Sequence, residues 1–120
     1  MSKYAREHAP RNIREHSNGE SALNYFEERI QDGGFYLLDE PENSLSPERQ
    51  LELADFLRFS AEDGGCQFII ATHSPFLLSM RGAKIYDLDE DPVDVKPWTG
   101  LKNVRAYYDF FKRNEGEFER

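Results

Sequence analysis

FYLLDEPENSLSP, residues 35–47, is the stretch on which the fold turns. Phe35, Tyr36, Leu37 and Leu38 run straight into two adjacent carboxylates, Asp39 and Glu40. A short, almost wholly apolar run of this kind suits a central strand of a parallel sheet, covered on both faces. A proline and a polar turn follow it. Ser46 and Pro47 then read as a helix N-cap and a proline in the first helical position. The chain therefore ends a strand on two acids and returns as a helix, which raises the question of what the acids touch.

Working outward, ERQLELADFLRFSAED (48–63) is the helix. Leu51, Ala54 and Leu57 recur at helical spacing, and Leu53 and Phe56 widen the apolar face. Gly64–Gly65 end it, and QFIIAT (67–72) reads as a second buried strand. A long, mostly helical connection between two apolar runs is what a parallel βαβ crossover requires. HSP leads into a short apolar helix, FLLSM (76–80). KIYDL (84–88) reads as a third strand, and VDVKPW (93–98) as an edge strand joined to it by the turn DEDP. NVRAYYDFFKRN (103–114) is helical, with Val104, Tyr108 and Phe111 on one side, and the tail EGEFER is expected to fray. Upstream, Ser17 and Glu20 fit a capping box that opens a helix over ALNYFEERIQD (22–32), with Leu23, Phe26 and Ile30 on its apolar face. Gly33–Gly34 stop that helix.

The order is α/β with a parallel core. In such sheets ligands bind beyond the carboxyl ends of the strands. DEPEN and THSP occupy those ends.

Bulk properties bound the partners. One small domain fits in 120 residues. A net charge of −8 argues against a broad basic surface for nucleic acid. Cys66 is the one cysteine, which excludes a disulfide within the chain and a cysteine-based zinc site. It reads as a buried thiol. No apolar run approaches the length of a membrane span, and the polar first residues lack an apolar signal core. A soluble, cytoplasmic protein is the expectation. Asp87, Asp89, Glu90 and Asp91 read as a solvated acidic turn.

Each polar cluster has an ordinary reading as well as a chemical one. A strand can end in Asp-Glu and turn; yet Asp39 is also a hard oxygen ligand suited to Mg²⁺, and Glu40 is placed to orient or deprotonate a water for attack on a phosphoryl group. His73 can be a loop histidine, or it can reach the same crevice and hydrogen-bond a terminal phosphate. HSNGES (16–21) can be a capping box, or an anion site at a helix N-terminus.

In order and spacing, SNGES, FYLLDEPENSLSP and FIIATHSP resemble the C-terminal half of an ABC-type ATPase nucleotide-binding domain, across about residues 16–90. That resemblance implies a partial P-loop NTPase (ABC/RecA-like) three-layer fold, with a mainly parallel sheet flanked by helices, occupying residues 1–120 as a single partial ATPase domain. It implies a signature motif at 16–21, a Walker B strand at 35–40, a D-loop at 43–46, a switch histidine at His73, and C-terminal strands and a helix at 84–120. The details look most like stand-alone soluble ATPases: SMC-type repair proteins, bacterial anti-phage ATPases and predicted AAA/ABC ATPases. Glu20 stands where transporters usually carry glutamine, and Asn18 replaces a signature glycine.

By resemblance, Asp39 would hold Mg²⁺ through water, Glu40 would be the catalytic carboxylate, and His73 would contact the γ-phosphate of ATP. Ser17, Asn18, Gly19 and Glu20 would face the nucleotide bound by a second subunit, and Asn43 and Ser46 would cross the dimer interface. The family also uses a P-loop, G-x-x-x-x-G-K-[ST], and no such stretch occurs in these 120 residues. Two expectations follow. The chain is the C-terminal part of an ATP hydrolase, working as a homodimer or with a P-loop-bearing partner chain, and meeting nucleic acid only through the full assembly. Alternatively, it is a non-catalytic partner or remnant that offers its signature motif in trans to a complete ATPase. An ABC transporter subunit ranks below both.

Overall fold

The computed structural model describes residues 19–119, and side chains from Leu23 onward. The contacts group them into two compact units, one ending at Arg81 and the other beginning at Gly82.

The first unit is helix α1 (Gly19–Arg29), strand β1 (Phe35–Asp39), helix α2 (Pro47–Glu62), strand β2 (Gln67–Ala71) and the short helix α3 (Pro75–Leu78). β1 and β2 pair in parallel, with Tyr36 opposite Phe68, Leu37 opposite Ile69 and Leu38 opposite Ile70. The crossover through α2 is what makes parallel pairing possible. This is the mixed α/β arrangement expected, a small parallel sheet flanked by helices.

Side chains alternate across a strand, so the register sorts the residues into two faces. Tyr36 and Leu38 are buried with Leu23, Tyr25 and Phe26 of α1, Leu53, Ala54 and Leu57 of α2, and Leu77 of α3. Phe68 and Ile70 pack against that core, and the Tyr36 and Phe68 rings stack at 5.7 Å. The opposite face carries Phe35, Leu37 and Ile69; Phe35 is exposed and Ile69 is 55% exposed. The sequence expectation of strands covered on both faces therefore holds for one face only among the described residues. The apolar run is longer than the cover provided here.

α2 starts as its sequence dictates. Ser46 Oγ accepts a hydrogen bond from the Arg49 N–H at 3.3 Å, and Pro47 opens the helix. Its buried stripe is Leu53, Ala54, Leu57 and Ser60. Leu51, assigned to the apolar face from spacing, is half exposed. The stripe is centred one residue further round the helix than the Leu51–Ala54–Leu57 series suggests. Ser60 joins it because its hydroxyl donates to the Phe56 carbonyl of the preceding turn at 2.9 Å.

The two diglycine turns meet. The Gly33 N–H donates to the Gly64 carbonyl at 2.7 Å, and Gly33 has φ +76°, where a side chain is disfavoured. At Gly34 a Cβ would fall 2.4 Å from the Tyr36 ring, so only glycine lets that ring cover the turn. The Tyr36 hydroxyl then accepts the Gln31 N–H at 2.8 Å. Cys66 is buried as expected, and its thiol lies 3.2 Å from the Gln31 carbonyl.

The second unit holds an antiparallel ribbon of β3 (Tyr86–Asp87) and β4 (Asp94–Val95), a 3₁₀ turn (Trp98–Gly100), α4 (Lys102–Arg113) and α5 (Glu115–Phe118). The ribbon was foreseen, but its turn is not simply solvated. Asp87 is buried, and Lys96 Nζ bridges Asp87 at 3.0 Å and Glu90 at 3.3 Å. The tail expected to fray forms the single turn α5, which begins where the Glu117 N–H meets the Asn114 carbonyl. On α4 only Val104 of the expected stripe is buried; Tyr108 and Phe111 are about half exposed. Among the described residues no helix is long and apolar enough to cross a membrane.

The hydrogen bond from Lys96 holds the Asp87 carboxyl below its usual range, and the same bond to Asp87 raises Lys96 above its own. A depressed carboxylate contributes stability above its unfolded pKa of about 4 and loses it as pH falls through the lower folded value. A raised lysine contributes below its unfolded pKa of about 10.4 and loses it above. The ribbon should thus hold between about pH 4 and 10. NMR shifts of residues 86–96 should stay constant across that window and move below it. A ribbon that loosens at neutral pH would contradict the pairing.

The two leucines of α2 give a second check. Leu57→Ala should cost about 2–5 kcal/mol in urea unfolding, because Leu57 is fully buried. Leu51→Ala should cost under about 1 kcal/mol. Equal costs would refute the rotated stripe.

Candidate functional site

The β1–β2 ladder runs one bond past β1. The Glu40 N–H donates to the Ala71 carbonyl at 2.7 Å, so the chain leaving β1 stays beside the chain leaving β2. Sequence-distant residues 39–42 and 72–74 are brought together by that bond at the carboxyl ends of two parallel strands.

Asp39 closes β1 as an exposed carboxylate, in register with Ala71 and on the strand face opposite Leu38. Glu40 has φ +47°, in the left-handed region that costs a side-chain-bearing residue roughly 1–2 kcal/mol. Pro41 is buried behind it. The Asn43 N–H donates to the Glu40 carbonyl at 3.1 Å, and the Leu45 N–H to the Glu42 carbonyl at 2.9 Å. Ser44, at φ +70°, completes the turn and lets Leu45 enter the core. Strain of this kind persists only where the surroundings enforce it, and it gathers at functional sites.

The turned Glu40 side chain faces His73. Glu40 Oε2 lies 3.5 Å from His73 Nδ1, with the Glu40 carboxylate 43% and the His73 ring 81% exposed. Asn43 Nδ2 donates to Glu40 Oε1 at 3.4 Å, so both carboxylate oxygens have a neighbour. The acid and the base meet at an open edge where a small polar molecule can reach both.

Of the sequence candidates, the structure brings Glu40, Asn43 and His73 into one cluster and sets Asp39 next to it at the strand end. Ser46 lies in the same turn, with its hydroxyl serving as the α2 cap. Ser17 and Asn18 lie outside the described residues; Gly19 and Glu20 open α1. Among the described residues no three His, Cys, Asp or Glu side chains gather as a metal cage.

Glu42 emerges as a site residue only in the structure. Its carboxylate accepts the Thr72 hydroxyl at 2.7 Å and the His73 N–H at 3.3 Å, tying the two loops. Thr72 Oγ1 accepts the Ser74 N–H at 3.0 Å, and Ser74 Oγ caps α3 by accepting the Leu77 N–H at 3.3 Å. Ser74 is buried, and its hydroxyl donates to Gln50 Oε1 at 2.6 Å, while Gln50 Nε2 donates to the Leu45 carbonyl at 3.0 Å. The Thr-x-Ser spacing of THS is a local hydroxyl-turn signal that could have been noticed. Glu42 carries no such signal, because its partners are thirty residues away.

The sequence model of the family described as "AAA domain, putative AbiEii toxin, Type IV TA system" matches residues 10–79, more than half of the chain. The chain belongs to this AAA-domain family. Its first unit is accordingly a P-loop NTPase-related domain, and the match spans β1, β2 and the whole Glu40–His73 cluster. ATPase-like nucleotide binding is the general function that membership of the AAA family supports. No curated protein matches the chain.

If Glu40 sits in left-handed backbone at a cost, glycine should relieve it. Glu40→Gly should leave the unfolding free energy unchanged or raise it by up to about 1 kcal/mol, measured in urea. A loss of more than about 1 kcal/mol would show that the turn is not strained.

Proposed function

We propose that this AAA domain supplies the hydrolytic side of an ATP site, and that the loop cradling the phosphates comes from outside these 120 residues. The observation that supports this best is the Glu40–His73 pair at 3.5 Å, set beyond parallel strand ends on a strained turn.

In this reading Glu40 orients a water and takes its proton as the water oxygen bonds to the γ-phosphorus. The bond from that phosphorus to the bridging oxygen breaks, leaving ADP and phosphate. His73 hydrogen-bonds a γ-phosphate oxygen and keeps it turned toward Glu40. Asp39 would hold Mg²⁺. The donor chemistry fits, because Mg²⁺ is characteristically bound by one or two carboxylates together with substrate phosphates rather than by an all-protein cage. When bound, the ion supplies charge neutralisation. Asp39 and Glu40 set two acids side by side at the strand end, and a cation nearby would relieve their repulsion.

Ser17, Asn18, Gly19 and Glu20 would serve nucleotide held by a second subunit, in a homodimer or with a P-loop-bearing chain. Asn43 and Ser46 would lie at that interface. Asn43 also braces Glu40, so a partner that engages Asn43 acts on the catalytic carboxylate directly.

The 120-residue chain alone should bind ATP weakly and turn over none. Turnover that disappears in Glu40→Gln would show that no outside cradle is needed. Completed by the P-loop-bearing segment or chain, the assembly should lose about 10²–10⁴-fold in kcat with Glu40→Gln and keep its nucleotide affinity. Undiminished turnover in that variant would overturn the assignment, and failure of every P-loop partner to yield turnover would favour the non-catalytic reading.

A further inference from the structure

We propose that Glu42 is a positioning residue for His73, acting through the backbone. The inference rests on the reading of His73 as the phosphate contact and deepens it.

The His73 ring is 81% exposed, and His73 follows β2 by two residues, where the ladder has ended. A ring on an exposed loop cannot keep a fixed relation to Glu40 unless its backbone is fixed. Glu42 does this with both oxygens. Oε1 takes the Thr72 hydroxyl and Oε2 takes the His73 N–H. Hydrogen bonds to an ionised carboxylate are stronger than neutral ones.

The other end of the clasp is equally fixed. Glu42 follows the buried Pro41, and its own carbonyl accepts the Leu45 N–H. Leu45 is anchored in the core, and its carbonyl is held by Gln50, which also takes the Ser74 hydroxyl. The turn bearing Glu40 and the loop bearing His73 are thus closed into one hydrogen-bonded ring through Glu42, Thr72, Ser74, Gln50 and Leu45. Glu42 is the member that reaches the His73 backbone. Its carboxylate is spent on these two donors, which separates its role from that of Glu40, whose carboxylate faces the histidine ring.

Glutamine at this position presents a single acceptor oxygen to two converging donors, and alanine presents none. The test is amide hydrogen exchange by NMR on the nucleotide-free 120-residue chain, with the imidazole ¹⁵N shifts of His73 recorded alongside. Glu42→Ala should speed exchange of the His73 amide by about tenfold or more, in line with the loss of a charge-assisted bond. The β1 and β2 ladder amides should stay within about twofold, because global unfolding is not involved. Glu42→Gln should recover part of the protection. The His73 ring shifts should change in Glu42→Ala even though Glu42 does not touch the ring.

An unchanged His73 amide or unchanged ring shifts would overturn the proposal. Equal acceleration of all amides in residues 35–78 would also overturn it, by showing a general stabilising role. If the clasp behaves as stated but His73→Ala leaves the turnover of a complete assembly intact, the positioning stands and the catalytic reading of His73 fails.

Discussion

The parallel pairing of β1 with β2 is the constraint on which the site depends. It fixes Leu38 beside Ile70 and Asp39 beside Ala71, and its last bond, from the Glu40 N–H to the Ala71 carbonyl, carries the pairing one residue beyond the strand. A slip of one residue would turn Tyr36 and Leu38 out of the core and Leu37 into it. The same slip would carry Glu40 away from the loop that bears His73. Core packing and site geometry are therefore specified by one register, and the helices that bury Tyr36 and Leu38 also secure the acids that follow them.

Beyond the strand ends the means of control changes. Regular ladder bonds give way to a turn with two side-chain-bearing residues at positive φ, and to carboxylate and hydroxyl groups that bind backbone. Buried Pro41, Leu45 and Ser74 root these loops in the core, while Glu40 and His73 remain open to solvent. Rigid roots with exposed tips suit a site that must receive a charged molecule without first rearranging. The exposed face of the sheet, with Phe35 and Ile69, belongs to the same picture: the apolar pattern of the strands calls for more cover than the described residues supply.

Much of this was legible in the sequence, for identifiable reasons. Strong local signals gave the helix cap at Ser46, the diglycine stops and the parallel strands. The Asp39–Glu40 and His73 positions followed from where apolar runs end. Four things were not legible. The burial of only one sheet face depends on what packs there, not on the strand's own residues. The inward stripe of α2 includes Ser60, whose hydroxyl is satisfied within the helix, so a count of apolar residues sets the stripe too near Leu51. Asp87 looked like part of a solvated acidic turn because its partner, Lys96, lies across the ribbon. Glu42 was hidden in the same way by the distance to Thr72 and His73. Local chemistry can be read from local sequence, whereas a long-range polar pair cannot.

In the proposed function, the Glu40 turn and the His73 loop receive a magnesium-bound triphosphate. An NMR titration of the ¹⁵N-labelled 120-residue chain with Mg·ATP tests this directly. Binding should be weak, with a Kd of roughly millimolar order, and shift changes should concentrate at Asp39–Glu42 and Thr72–Ser74. Asp39→Asn should weaken those changes. Shifts that cluster elsewhere, or none at concentrations well above that range, would contradict it.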